Sequence, residues 1–176
     1  MRLIFTVFSM IFSLNLFAAS SYVGQEHRSL KSLSDKEING FLNGKGMGFA
    51  KPAELNNYPG PKHVLDLSNK LNLDNSQIEK TKYIFKNMQV KSIEYGKLLI
   101  NNEMEIENLF NSGAANPEAL NNLLIKSATL NSKIRYAHLA AHIQQRNLLS
   151  KHQIYLYNEL RGYSGDEHKQ PHKHNH

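Results

Sequence analysis

Apolar residues recur along this chain at helical spacing, and no stretch alternates in the manner of a strand. Ser34-Asp35-Lys36-Glu37 has the form of a capping box, and Ile38, Phe41 and Leu42 follow before Gly44, which predicts a short helix. Three glycines and three prolines between Gly46 and Pro61 predict a loop with fixed turns. Pro61 suits a first helical position, so a short helix is expected from there to about Leu71. A long helix is predicted from Asn75 to Ser112, capped by Asp74 and closed by Gly113.

That helix carries a heptad seam. Ile78, Phe85, Ser92, Leu99 and Ile106 fall on one line, and Thr81, Met88, Tyr95, Asn102 and Leu109 on the next. At 1.5 Å per residue it would be about 55 Å long, so it must pack lengthwise on a partner. Asn116 and Pro117 open the partner, expected to run to about Asn147 with Leu120, Leu123, Leu124, Ile134, Ala137, Ala141 and Leu148 as its apolar face. The link between them is short enough to force an antiparallel hairpin. Ser150 caps a last helix, Lys151 to Arg161, stopped by Gly162. The fold class is therefore all-α: a long antiparallel helical hairpin with short flanking helices.

The ends read differently. Met1-Arg2, an apolar run from Leu3 to Phe17 and the small residues Ala18-Ala19-Ser20 have the order of a secretory signal peptide, expected at residues 1–20. The run is shorter than the ~20 residues of a membrane span. A polar lead-in at 21–33, a helical domain at 34–163 and a polar, histidine-rich, disordered tail at 164–176 complete the expected organisation.

Two pentapeptides match each other. Leu73-Asp74-Asn75-Ser76-Gln77 opens the first long helix and Leu149-Ser150-Lys151-His152-Gln153 opens the last. In each, the capping side chain (Asp74, Ser150) bonds helix amides, the glutamine (Gln77, Gln153) reaches back, and the leucine pins the incoming chain. Paired around a long hairpin, they resemble the Leu-Thr-x-x-Gln signature of the Spy/CpxP family, which includes ZraP-like and CnrX-like heavy-metal-responsive proteins. Gly46-Met47-Gly48, Tyr58-Pro59-Gly60-Pro61 and Leu160-Arg161-Gly162-Tyr163 are similar to one subgroup of that family. Threonine is replaced by Asp74 and Ser150, both good caps.

The resemblance implies a periplasmic hairpin that dimerises into a cradle. It also implies ATP-independent binding of unfolded or misfolded envelope proteins, or restraint of an envelope stress sensor.

Candidate metal chemistry rests on histidine. His138 and His142 lie one turn apart, a spacing that suits two ligands of zinc, copper or nickel if further donors join them. His63, His27, Glu103 and Met104 are candidates to do so. His168, His172, His174 and His176 form a second candidate cluster on the tail. The alternative function is thus a periplasmic metal sensor or buffer, with no metal required for the fold.

Composition narrows the remaining classes. The 176 residues contain no cysteine, which removes disulfides, thiolate ligands and cysteine nucleophiles. The net charge of +6 falls to near +5 without the leader, too dispersed for a nucleic-acid binder. His138 is followed by Leu139 rather than the glutamate of a zinc protease, and neither a Gly-x-Ser-x-Gly turn nor a phosphate-cradling glycine loop occurs. A protein that works by binding, without catalysis, is expected.

Overall fold

Three capping boxes decide where helices begin. In the computed structural model, which describes residues 20–163, helix α1 (Asp35–Leu42) is capped by Ser34 with Glu37 reaching back. Helix α4 (Asn75–Asn111) is capped by Asp74 with Gln77, and α6 (Lys151–Arg161) by Ser150 with Gln153. Between them lie α2 (Lys51–Glu54), α3 (Pro61–Asp66) and α5 (Pro117–Leu148), and the described residues contain no strand. The signal-peptide reading at 1–19 and the tail reading at 164–176 lie outside the described residues.

Helices α4 and α5 form the expected antiparallel hairpin, with α6 turning back at its open end. Thr81, Met88, Ser92, Leu99 and Asn102 of the seam are buried, and Phe85, Tyr95, Ile106 and Leu109 are half-buried. On α5, Ile134, Ala137 and Ala141 are buried as expected, but Leu124 is exposed because it lies off the line facing α4. Polar seam positions bond across the hairpin through their donors, leaving Asn102 Oδ1 and Gln145 Oε1 buried without a partner. Asn102 donates to Leu123 O and Ser127 Oγ, both at 2.8 Å, and Gln145 donates to Thr81 Oγ1 at 3.1 Å.

The segment from α1 to α3 lies along one side of this hairpin. Phe41 joins Leu99, Leu130 and Ile134 in a buried cluster, with Phe49 and Tyr95 packed against it. A fully buried side chain of this size contributes about 1.5–3 kcal/mol. Gly96 admits α1: a Cβ there would stand 2.8 Å from Phe41 O. At the open end, Val64, Leu71, Leu149 and Tyr157 form a second cluster that Leu73 flanks. Both motif leucines thus contribute to the same apolar cluster.

Three local expectations change. The loop from Gly46 to Pro61 contains a single helical turn, α2, because Pro52 takes its second position and pre-sets the backbone angle. The helix opened by Pro61 ends at Asp66 rather than near Leu71, and turns carry the chain to Asn72, whose φ of +50° breaks any helix. The lead-in, expected only as a polar stretch, is anchored on the hairpin. Leu30 is buried, Ser32 Oγ donates to Glu103 Oε2 at 2.9 Å, and Lys31 pairs with Glu107.

Candidate functional site

The two motifs meet. Gln77 Nε2 donates to Gln153 Oε1 at 2.9 Å, and Gln153 Nε2 donates to Gln77 Oε1 at 3.0 Å. Each amide oxygen also accepts from the backbone of its own cap, Asp74 N at 3.2 Å and Ser150 N at 2.9 Å. Each amide nitrogen has a second carbonyl, Leu148 O at 3.1 Å for Gln77 and Leu71 O at 3.3 Å for Gln153. Both side chains therefore use two donors and two acceptor positions, the full capacity of a primary amide. Glutamate could not donate here, which explains glutamine at the third position of both helices.

Beside this clasp, Glu54 gathers the open end. Its Oε1 accepts from Tyr157 at 2.5 Å and Tyr163 at 3.1 Å, and its Oε2 accepts from Gly60 N at 3.2 Å. Arg161 Nε lies 3.5 Å from the same carboxylate. Burial, and then the bond to Glu54, push the Tyr157 hydroxyl well above its ordinary range, so it stays a donor. Tyr157 is fully buried, whereas Tyr155, two residues earlier on α6, is exposed. Glu54 carries no sequence signal, since a lone glutamate in a proline-rich loop reads as solvated.

The two histidines of α5 point inward. His138 and His142 share one face of α5 and are 3% and 8% exposed, so neither lies on a solvated face. His138 Nε2 is 3.1 Å from Ser92 Oγ, and its ring stacks on Phe49 at 5.9 Å between centroids. Burial, with His142 adding a smaller effect, pushes its pKa down to about 4, so it is neutral at pH 7. His142 Nδ1 is 2.7 Å from Tyr58 O. A carbonyl only accepts, so Nδ1 carries the proton. Gly60 packs on this ring, where a Cβ would come within 2.9 Å of Cε1. The pair thus fastens the Phe49-to-Gly60 segment to the hairpin.

His63 lines a pocket of about 450 Å³ with His142, Glu54 and Arg161. Its pKa is lowered by burial and by Arg161. Among the described residues no group of three or more His, Cys, Asp or Glu side chains is placed to hold a metal. His27 is exposed next to Glu26, Met104 faces outward, and Glu103 accepts from Ser32 and Ser127. The tail histidines His168, His172, His174 and His176 lie outside the described residues.

The hairpin leaves some large apolar side chains open among its polar surface residues. Ile125, Tyr136 and Ile143 are 57%, 73% and 52% exposed, and eleven and seven residues apart they fall on one line of α5. Phe110 and Leu124 are exposed toward the hairpin tip. Among the described residues no helix is long and apolar enough to cross a membrane. No family model, curated protein or solved structure matches the chain.

Proposed function

We propose that this protein is a periplasmic, ATP-independent holding chaperone of the Spy/CpxP type, working as a homodimer on unfolded or misfolded envelope proteins. The observation that carries the reading is the row Ile125, Tyr136 and Ile143, which presents apolar side chains over about 27 Å of one rigid helix. Unfolded chains expose apolar side chains that folded ones hide, and burial against this row contributes about 25 cal/mol per Å². Exposed lysines raise the encounter rate with acidic segments, and apolar contact sets retention. The paired motifs bring the family resemblance, and with it an envelope stress sensor as a further partner.

A denatured client diluted into buffer with an equimolar amount of this protein, without ATP, tests the reading. Light scattering from aggregation falls, and the variant Ile125→Ser/Tyr136→Ser/Ile143→Ser loses most of that protection. Absence of protection by the wild type at low and high salt would remove the proposal.

A further inference from the structure

The face of α4 turned away from α5 carries a second, chemically different surface. Lys86 and Lys97 are eleven residues apart and so share one edge of this face, as do Lys80 and Lys91 at the other edge. All four are exposed, and among the described ion pairs none involves them. Between the two lysine edges run Tyr83 and Val90, 68% and 50% exposed, with Asn87 and Glu94 beside them, while Leu98 and Met104 stand farther along on opposite edges of the face. Glu79 and Glu105 on this face are paired with Lys82 and Lys126, which leaves Glu94 as the carboxylate outside any described ion pair.

We propose that this ridge of α4 docks flat on an anionic lipid surface. The surplus of lysine favours a negative partner, and the convex shape favours a planar one. Lys80 to Lys97 spans about 26 Å of one convex helix face, a line of contact rather than a groove that could enclose a peptide. Lysines along both edges of an apolar stripe can lay their stems beside it and raise their ammonium groups to phosphates. Docking is peripheral, through side chains of an already folded hairpin. It goes beyond client holding and uses a different helix face.

Vesicle flotation of the chain from Ser21 onward tests this, with phosphatidylcholine vesicles against vesicles containing about a third phosphatidylglycerol. The protein floats with the anionic vesicles and stays behind with the neutral ones. Each lysine near such a surface contributes about fivefold, so Lys80→Gln/Lys86→Gln/Lys91→Gln/Lys97→Gln weakens partitioning by about 100-fold or more. Tyr83→Ser/Val90→Ser keeps the charge and weakens it by about tenfold. Far-UV circular dichroism shows both variants as helical as the wild type. Equal flotation with neutral vesicles, or wild-type flotation by the lysine variant, overturns the proposal. So does retention of soluble polyglutamate without flotation, which would assign the ridge to an acidic polypeptide.

Discussion

Gln77 and Gln153, 76 residues apart, hold one another by two amide hydrogen bonds of 2.9 and 3.0 Å while each caps its own helix. The motif is therefore a joint rather than two independent helix starts. It fixes the beginning of α4 against the α5–α6 corner and so fixes the open end of the hairpin.

Replacement of either glutamine tests the joint. Gln77→Ala or Gln153→Ala strips partners from buried or half-buried carbonyls and amides, and each lowers unfolding free energy by about 1–3 kcal/mol. Because the two side chains form one unit, the double variant costs less than the sum, by about 0.5–3 kcal/mol. Gln77→Glu is nearly isosteric, yet it also destabilises, since a carboxylate would face Gln153 Oε1 and Leu148 O, both acceptors. Urea unfolding of the wild type and the four variants gives these differences.

Much of this was legible before folding was considered. Capping residues such as Ser34, Asp74 and Ser150 act within one turn, so sequence locates the helix starts to the residue. The heptad seam likewise needs only local spacing, and it identified Met88 and Leu99 as interior. What stayed hidden depends on residues far apart in the chain. The Gln77–Gln153 bonds, the Glu54–Tyr157 bond and the burial of His138 beneath Phe49 arise only once the Gly46-to-Pro61 segment is laid on the hairpin.

Gly96 is set by close approach. Alanine normally gains about 1 kcal/mol over glycine within a helix, but here its Cβ would stand 2.8 Å from Phe41 O and 3.0 Å from Phe41 Cβ. The crowding involves backbone of α1, which cannot move without lifting Phe41 from its cluster. Gly96→Ala therefore lowers stability by about 1–3 kcal/mol, read as a lower thermal midpoint.

Stability depends on pH through His138. Its folded pKa, about 4, lies below the ordinary histidine value of 6.5, so the unfolded chain binds the proton more tightly. The stabilisation is complete above pH 6.5 and is lost as pH falls toward 4, reaching about 3 kcal/mol at most. His138→Phe flattens that part of the profile while losing the contact with Ser92. The same substitution at pH 7 separates a structural histidine from a metal ligand: denaturation midpoints shift without added metal.

Tyr157→Phe removes a hydroxyl that donates to Glu54 in a buried setting. Glu54 keeps Tyr163 and Gly60 as donors, with Arg161 close by, so the carboxylate is not orphaned. The expected loss is about 1–2 kcal/mol, with α6 unchanged in helicity by circular dichroism. A larger loss with melting of α6 would mean that this one bond holds the helix in place.

Holding unfolded protein on the outer row of α5 is the central claim, and site-specific photo-crosslinking tests it most directly. A photoreactive side chain is placed in turn at Ile125, Tyr136, Ile143 and, as an exposed control on α3, Lys62. Mixed with a denatured client under conditions that suppress aggregation, the three α5 positions form adducts that the native client does not form, and Lys62 forms few. Equal labelling at all four positions, or labelling that ignores whether the client is folded, would contradict the account.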